Sequence, residues 1–221
     1  MEGENSAFVR EKSKEIKDIH KVVIYGCGGH ARSVVNTIRE LCGEVEIILV
    51  DQNAGQGEII LDCRTQQEYE LCATDHYMVA VGDNRKRTQL YQVLCSRNKG
   101  KCISVISDRS CIGIDARIGE GTFVAPNAFI GPQAVVGNNT IVNTGSIIEH
   151  EVRIGDNSHI APHATVCGRT EIGNNVFCGA GSVIINNVKV CDDVIIGAGA
   201  VVKEDIAEAG TYAGVPAVKI K

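Results

Sequence analysis

A strict six-residue repeat occupies the second half of this chain. From Ile106 to Val202, every sixth residue is Ile or Val at all but one of seventeen positions, and the exception is Cys178. The residue two before each of these is mostly Ala, Ser, Thr or Val. Residues two apart share one face of a strand, whereas a helix needs a period near 3.6. A fixed repeat this short therefore predicts a parallel β-helix.

The residues between these short strands favour sharp corners. The second and third residues after a repeat position are often Asn, Asp or Gly, as at Asn138–Asn139, Asp156–Asn157 and Asn174–Asn175. These types tolerate left-handed backbone, and Asn and Asp form local hydrogen bonds. Three strands and three corners then make a triangular coil of 18 residues. Coils stacked at ~4.8 Å give a prism about 27 Å tall.

Composition excludes several classes of protein. The chain has 221 residues, a net charge of −5, no basic run and 4% aromatic residues, which argues against nucleic-acid binding. No apolar run approaches the ~20 residues that cross a bilayer, so no membrane partner is expected. Residues 1–20 are expected to form a polar, solvated lead, partly helical around Lys12–Lys17, and they lack the apolar core of a signal peptide. We therefore expect a cytoplasmic protein.

The ten cysteines are expected to be reduced thiols. None of them forms a C-x-x-C pair, and no export signal precedes them. Several occupy positions that suit small apolar residues, as Cys178 does in the repeat. Disulfides are the less favoured alternative, and the pattern indicates no zinc site.

A glycine-rich turn marks the start of a different kind of domain. The apolar stretch Lys21–Tyr25 predicts a buried strand, and residues 26–31 follow it as G-x-G-x-x-A. A helix over 33–41 and a second strand, Glu46–Val50, lead to Asp51. Glycines let the backbone approach a diphosphate, and a helix N-terminus favours its charge. A tight turn without a ligand, or an NAD-dependent oxidoreductase, would show the same motif.

The remainder of this region is short. Further strands are predicted at 77–81 and 103–106, with a helix at 85–96 between them. About 85 residues are half of a fold that holds a whole dinucleotide, so the size favours a mononucleotide diphosphate. The charged residues 82–87 follow a strand, either as a ligand-facing loop or as a solvated helix start. We expect an α/β + β protein in which a Rossmann-like domain, 21–105, precedes a β-helix, 106–221.

One corner of the repeat carries residues that do not favour turns. His150 and Glu151 follow Ile148 where turn formers are expected. An adjacent acid can hold an imidazole in one tautomer and raise its basicity. Asn143 and His159 fall nearby on outward-facing strand positions. An exposed surface histidine is the alternative interpretation.

The repeat places these residues on different sides of one prism. His159 is half a coil from His150, so a closed trimer would be needed to bring one to the other across subunits. Gly168 lies one coil above His150, where its N–H could donate to an oxyanion. Ala180 and Ala198 are also one coil apart and form a column of small residues suited to a long cofactor.

The sequence disfavours two other kinds of β-helix protein, a zinc enzyme and a non-catalytic scaffold. Zinc held between subunits, as in γ-class carbonic anhydrases, would use histidines such as His150, His159 and His163, but their spacing does not match that family. A non-catalytic scaffold is disfavoured because the His150–Glu151 pair disrupts a turn without contributing to the core.

Five blocks of the sequence carry a resemblance to a known family. These blocks are 25–31, 81–85, 142–151, 154–160 and 214–217. They resemble the bacterial sugar acetyltransferases that join a small nucleotide-binding domain to a left-handed β-helix. That group includes N-acetyltransferases acting on nucleotide-linked 4-amino sugars and sialic acid O-acetyltransferases. The likeness covers nearly everything from Lys21 onward, and the left-handedness is implied by it alone.

The resemblance implies roles for individual residues. His150 would be the general base, Glu151 would increase its basicity, and Asn143 would lie beside them. Contacts to acetyl-CoA are implied for His159, Gly168, Ala180 and Ala198. Contacts to the nucleotide-sugar are implied for Gly28, Gly29, His30, Asp51, Gln52 and Gly82. Some members have two acids where this chain has Asp51 and Gln52, which leaves the nucleotide preference open.

The expected activity is acetyl transfer from acetyl-CoA to the amino group of a UDP- or GDP-linked 4-amino sugar, for glycan or polysaccharide biosynthesis. The expected enzyme is a homotrimer without a metal. O-acetylation of a sialic-acid-like sugar is the alternative, and an NAD-dependent oxidoreductase is more remote.

Overall fold

The structure is a computed structural model that describes residues 16–55 and 58–221. It contains a six-stranded sheet with two α-helices, followed by a parallel β-helix with three faces. The predicted fold class is confirmed: a Rossmann-like α/β unit precedes a parallel β-solenoid.

The first sheet is parallel except at one edge. Its strands are β1 (Lys21–Tyr25), β2 (Glu46–Val50), β3 (Ile59–Ile60), β4 (Cys63–Gln66), β5 (His76–Val79) and β6 (Lys101–Cys102). Their order is β3-β4-β2-β1-β5-β6, and only β3 runs antiparallel to its neighbour. The helices are α1 (Gly29–Cys42) and α2 (Asn84–Ser96).

The strand order creates a crevice at one end of this sheet. The chain moves from β1 to β2 on one side and later returns to β5 on the other. Ligands of open parallel sheets bind beyond the carboxyl ends of the strands, where the order reverses in this way. The loops after β1, β2 and β5 all open into this crevice.

The chain differs from the sequence prediction in several details. Helix α1 begins at Gly29 rather than residue 33, because the glycine turn is itself the first turn of the helix. The predicted strand 103–106 is shorter than expected, since β6 ends at Cys102 in the first sheet and only β7 (Val105–Ile106), which begins the β-helix, lies within it. Strands β3 and β4, which have little apolar alternation, were not predicted.

The polar lead was predicted to be solvated. That is wrong for Ile16 and Ile19, which are buried in the core of the first domain beside a short 3-10 helix, Ile16–Asp18. The rest of the lead, residues 1–15, including most of a helical stretch expected around Lys12–Lys17, lies outside the described residues.

The β-helix has three faces of stacked two-residue strands. The first face contains β7, β10 (Phe123–Val124), β13 (Ile141–Val142), β16 (His159–Ile160), β19 (Phe177–Cys178), β22 (Val194–Ile196), β24 (Gly210–Ala213) and β25 (Val218–Lys219). The second face contains β8 (Cys111–Ile112), β11 (Phe129–Ile130), β14 (Ile147–Ile148), β17 (Thr165–Val166), β20 (Val183–Ile184) and β23 (Val201–Val202). The third face contains β9 (Arg117–Ile118), β12 (Val135–Val136), β15 (Arg153–Ile154), β18 (Glu171–Ile172) and β21 (Lys189–Val190).

The repeat residues form the interior of the prism, as the sequence predicts. Val124 pairs in parallel with Ile106 and with Val142, so one coil is 18 residues. The repeat residues form one continuous buried cluster, in which Cys178 is fully buried and Ile112 is partly buried. Burying each aliphatic side chain contributes about 1.5–3 kcal/mol, which stabilises every coil against its neighbours.

The corners depend on left-handed backbone. From Ile112 to Ile196, the third residue after every repeat residue has a positive φ. Most of these residues are Asn, Asp or Gly, as predicted. Four are not, namely Gln133, Glu151, His163 and Arg169, with φ between 58° and 61°. Glu151 is therefore one of several exceptions to the rule, not the single one that the sequence pattern suggested.

The first domain packs onto the first face of the β-helix. Phe123 and Ile141 point outward from this face and join the same buried cluster as Val34 and Val35 of α1. The other two faces carry no comparable cover within the described residues. The part of the first face from Val105 to His159 is thus an internal surface of the chain, whereas Ile195 of the same face is exposed.

Arg87 of α2 crosses the contact between the two domains and is 1% exposed. Its guanidinium donates to five carbonyl oxygens, at 2.8–3.3 Å. These belong to Val81 and Gly82 in the first domain, and to Asn139, Asn157 and Ser158 in the β-helix. The expectation of a ligand-facing or solvated charge is wrong for this residue.

All ten cysteines lie in the described part of the chain, and none of them forms a disulfide. Across residues 16–55 and 58–221, no helix is both long and apolar enough to cross a bilayer.

Candidate active site

The glycine loop presents bare backbone to the crevice. Gly26 has a φ of +124°, and a Cβ there would meet Ala80 O at 2.6 Å, so this glycine is needed to bring β1 close to β5. At Gly28 and Gly29, in contrast, a Cβ would have no atom within 4 Å. Their side-chain positions therefore face open space in the cleft, which leaves room for a ligand.

The N-terminus of α1 faces the same space. Gly28 is its N-cap and supplies no side-chain hydrogen bond, and no acidic residue lies in the first turn. The first N–H groups of a helix have no partner within the helix and favour an anion. Lys86 and Arg97 line the cleft as well and add positive charge. The arrangement suits a diphosphate.

The cleft has a volume of about 1140 Å³. It is lined by all six residues that the resemblance assigned to a nucleotide-sugar, namely Gly28, Gly29, His30, Asp51, Gln52 and Gly82. Asp51 is held in place, since Oδ2 accepts from Cys27 N at 3.2 Å and Oδ1 from Asn53 N at 2.9 Å. Its carboxylate is thus fixed at the end of β2, within reach of the glycine loop.

His30 is a neutral imidazole at the inner end of the cleft. Its ring packs edge-to-face on Phe123, with 5.2 Å between ring centroids. Burial, followed by the positive charges of His159 and Arg87, lowers its pKa to about 3. Nε2 is buried and has no hydrogen-bond partner among the described residues. A polar ligand atom would satisfy it.

His159 connects the cleft to the β-helix. Its Nδ1 lies 3.3 Å from Gly82 O, which can only accept, so the proton is on Nδ1. Nε2 lies 3.1 Å from Asn143 Nδ2 and accepts from it. Burial, followed by the charge of Arg87, lowers the pKa of His159 to about 4, so the ring is neutral.

This placement corrects an expectation about His159. The side chain does point away from the prism axis, but the first domain covers it and leaves it only 8% exposed. The His159 side chain is therefore not available on the surface to contact a neighbouring subunit.

Asn143 contacts His159, and the Oδ1 atom of Asn143 accepts from Thr144 N at 2.8 Å. No contact joins Asn143 to His150 within the described residues.

The His150–Glu151 pair lies on another corner, between β14 and β15. His150 Nδ1 is 3.0 Å from Glu151 Oε2. Because the carboxylate accepts, Nδ1 carries the proton and Nε2 keeps its lone pair. The hydrogen bond from His150, together with the positive charge of Arg169, lowers the pKa of Glu151. The pair has the geometry of an oriented general base.

Gly168 lies directly against the imidazole, as the 18-residue stacking predicts. A Cβ at Gly168 would come within 2.6 Å of both Nε2 and Cε1 of His150. A side chain at this position would therefore displace the ring. Within the described residues, no acceptor is found for Gly168 N–H, so that donor is free to bind a ligand atom.

Sequence reasoning missed two residues near these sites. Arg169 Nε lies 3.1 Å from Glu151 Oε2, and the same 18-residue offset that predicted Gly168 over His150 would have revealed it. Arg87 had no comparable signal, because its carbonyl partners come from distant parts of the chain.

A single chain does not bring all the expected site residues together. Ala180 and Ala198 are exposed on the corner before the second face, whereas His150 and Gly168 lie on the corner after it. Asn143 and His159 lie toward the first face. A site that uses all of these residues requires more than one copy of the chain.

Two other chemistries find little support in the geometry. In the part of the chain that is described, no group of three or more His, Cys, Asp or Glu side chains could hold a metal ion. Cys27, in the glycine loop, is a poor nucleophile because burial and then Asp51 raise its pKa to about 11.

The fold and the corner site define a hexapeptide-repeat protein of the transferase type. Residues 21–94 match the family model of the PglD N-terminal domain. Segments 115–150, 133–168 and 169–204 match the bacterial transferase hexapeptide model of six repeats.

Solved structures give the same assignment over most of the chain. The acetyltransferase domain of PglB from Neisseria gonorrhoeae FA1090 is 29% identical, with a TM-score of 0.85, covering 91% of this chain and 100% of that one. A point mutant of GDP-perosamine N-acetyl transferase from Caulobacter crescentus, in complex with CoA and GDP-perosamine, is 29% identical, with a TM-score of 0.82 and coverage of 91% and 97%. WeeI from Acinetobacter baumannii AYE is 19% identical, with a TM-score of 0.76 and coverage of 90% and 99%, and it supports the fold alone. This chain belongs to the family of bacterial hexapeptide-repeat sugar acetyltransferases that carry a PglD-type N-terminal domain.

Proposed function

We propose that this protein transfers the acetyl group of acetyl-CoA to the amino group of a nucleotide-linked 4-amino sugar. The observation that carries the proposal is the His150–Glu151 pair, whose free Nε2 lies beside the free N–H of Gly168. The same chain holds a cleft suited to a diphosphate. Similarity to a protein whose structure contains CoA and GDP-perosamine supports the pairing of donor and acceptor.

The first domain, 21–105, would bind the nucleotide part of the acceptor. Its diphosphate would lie on the backbone of Gly28 and Gly29 at the N-terminus of α1. Asp51 and Gln52, at the end of β2, would contact the nucleoside, as the acid after the second strand does in related folds. His30 Nε2 would hydrogen-bond a polar group of the sugar.

The β-helix, 106–221, would carry the chemistry. His150 Nε2 removes a proton from the ammonium group of the sugar, and the free amine attacks the thioester carbonyl. Gly168 N–H then donates to the tetrahedral oxyanion, and the carbon–sulfur bond breaks as the carbonyl re-forms. His150 returns its proton to the CoA thiolate, and the nitrogen loses its second proton to water as the amide forms. A general base contributes about 10²–10⁴-fold and one oxyanion donor about 10²–10³-fold.

The complete site would form between subunits of a homotrimer. The first face of the prism is covered by the first domain, and the third face carries charged residues such as Arg117, Arg153 and Glu171. The second face presents Phe129 and Ile147, and Ile147 is 37% exposed. This apolar face ends at the corner of His150, so packing it on a second copy would place His150 beside the neighbour's cleft.

The cofactor contacts would follow from this arrangement. Acetyl-CoA would extend along the small residues Ala180 and Ala198 of one subunit, toward Gly168 and His150 at the corner. His159 would act near the acetyl group through Asn143, which it holds by a hydrogen bond. We place the enzyme in the cytoplasm, where acetyl-CoA and nucleotide-sugars are both available.

An assay of thiol release from acetyl-CoA tests the proposal. Purified protein would be offered UDP- and GDP-linked 4-amino sugars, the matching 4-hydroxy sugars, and free and cytidylylated sialic-acid-like sugars. We expect CoA release with a 4-amino sugar only, and release about 10²–10⁴-fold slower with His150→Asn at pH 7. Release with a sialic-acid-like sugar alone would favour the O-acetyl alternative. Absence of release with every acceptor would contradict acetyl transfer.

A further inference from the structure

Two long charged side chains occupy adjacent positions that normally hold turn-forming residues. Glu151 and Arg169 are one coil apart on the corner after the second face, with φ of 60° and 61°. At the equivalent position of other corners the chain uses residues such as Asn157, Asn175 and Asn187, which tolerate this backbone. A non-glycine residue held in this region is often retained for function.

Arg169 is connected to the His150–Glu151 pair at two points. Its Nε lies 3.1 Å from Glu151 Oε2, the same oxygen that is 3.0 Å from His150 Nδ1. Its backbone N–H donates to His150 O at 3.1 Å. One carboxylate oxygen is thus shared between an imidazole and a guanidinium. The backbone contact fixes the register of the coil that carries the guanidinium.

The charges around His150 act in opposite directions. Glu151 and the preceding Glu149 favour the protonated imidazole, whereas Arg169 favours the neutral ring. Cys167, one coil above Glu149, is a neutral thiol, because burial and then the charge of Glu149 raise its pKa. Arg169 is the cation in direct contact with this group of residues.

We propose that Arg169 is a positioning residue for the base: by sharing Glu151 Oε2 with His150, it limits how strongly the carboxylate stabilises the imidazolium and keeps the base unprotonated at lower pH. This inference rests on the proposed role of His150. Arg169 touches neither the acetyl donor nor the acceptor in this role, and it acts through Glu151. The acidic side of the pH–rate profile reports its effect.

Arg169→Asn is the variant that tests the proposal. Asn is common at this corner position, so the substitution suits the backbone. We expect the acidic limb of the kcat/KM profile to move to higher pH by about 0.4 unit, the size expected for one unit charge ~7 Å away in a water-like medium. The rate at pH below the limb should fall about 2–3-fold, and the deficit should shrink as pH rises. Arg169→Lys should restore most of the wild-type limb.

Lys189→Asn is the matched control. Lys189 and Glu171 form an ion pair at 3.2 Å, also one coil apart and exposed, on the third face away from His150. This variant should leave the acidic limb in place. An equal shift in Lys189→Asn, or a uniform loss of rate at all pH values in Arg169→Asn, would overturn the proposal.

An NMR titration of the His150 ring in the substrate-free protein separates this inference from the proposed function. Arg169→Asn should move the titration midpoint to higher pH at low salt, and 1 M NaCl should reduce the difference, because the side chains are exposed. A midpoint that does not move would reject the role of Arg169, even if the enzyme acetylates an amino sugar. A midpoint that moves would support it, even if no acceptor is acetylated.

Discussion

At the scale of single residues, the two histidines implicated in the site have opposite environments. His150 is exposed on a corner, and its Nδ1 lies 3.0 Å from the Glu151 carboxylate, which leaves Nε2 available to a substrate. His159 is buried, and its pKa is lowered to about 4, so it remains neutral at physiological pH. Only the exposed histidine is therefore suited to act as a base, whereas His159 is suited to hold Asn143 in position.

The role of His150 can be separated from simple positioning by His150→Asn. As a general base, it should contribute about 10²–10⁴-fold to kcat, with little change in affinity for acetyl-CoA. The asparagine can still hydrogen-bond the amine but cannot take its proton. Measuring kcat/KM between pH 6 and 9 decides the matter, and near-wild-type rates at pH 9 would show that the amine loses its proton to water.

At the scale of elements, the start of α1 is the expected binding site for the diphosphate of the acceptor. Two glycines of the loop face open space, so their lack of side chains serves no packing need within the chain. The helix begins immediately in the loop and offers its unpaired N–H groups to the cleft.

Gly29→Val should therefore fold and yet bind the nucleotide-sugar poorly. A Cβ there meets no protein atom within 4 Å, but it would project into the space of the diphosphate. We expect the acceptor KM to rise at least about 10-fold, with an unchanged Kd for acetyl-CoA, since a lost charge-assisted contact costs about 1.5–3 kcal/mol. Ser33→Val, exposed on the same helix and outside the cleft, is the control. Equal weakening of the binding of both ligands would contradict the assignment of the acceptor to the first domain and of acetyl-CoA to the β-helix.

Helix α2 holds the first domain against the β-helix through one buried cation. The hydrogen bonds that the Arg87 guanidinium makes to described residues go to carbonyl and amide oxygens, and burial lowers its pKa to about 10, so it stays charged at neutral pH. Its planar guanidinium satisfies several carbonyls at once, which an ammonium group cannot do.

Arg87→Met should lower the free energy of unfolding by about 2–4 kcal/mol, because each buried carbonyl left without a donor costs about 1–3 kcal/mol and the lost charge offsets part of this. Urea unfolding followed by circular dichroism measures the change. Arg85→Met, at an exposed position of the same helix, should change stability by less than about 0.5 kcal/mol. Similar losses in both variants would show that the carbonyl contacts contribute little.

At the scale of the whole molecule, the three faces of the prism have different surroundings. One face is internal, one is charged and one is apolar and uncovered within the described chain. Gly168, Ala180 and Ala198, which are expected to bind acetyl-CoA, lie at the two edges of the uncovered face, and His159 lies on the first face. Assembly and activity are thus expected to depend on the same surface.

Ile147→Asp should prevent trimer formation and abolish activity together. The aspartate would place a charge in the centre of the proposed apolar interface, where desolvation is costly. Light scattering should change from about 71 kDa to the 23.6 kDa of one chain. Ile195→Asp is the control, because Ile195 is also exposed but belongs to the first face. A wild-type protein that is monomeric at micromolar concentration would contradict the shared site.

Much of this structure follows from local sequence. The six-residue repeat determined the β-helix because each coil contacts only the coils next to it, so its pattern is complete within 18 residues. The same offset placed Gly168 against His150 and could have placed Arg169 against Glu151. The glycine loop and β2 were likewise predicted from consecutive residues.

The tertiary structure alone decided which of the outward-facing residues are covered. The position of His159 in the repeat and that of Arg87 near the start of a helix both predict exposed side chains. Both side chains are nevertheless buried where the first domain meets the β-helix. His159 contacts Gly82, which is 77 residues away in the sequence. Arg87 contacts Asn139 and Asn157, which are 52 and 70 residues away. No periodicity encodes such contacts, because they depend on how two separately formed cores pack together.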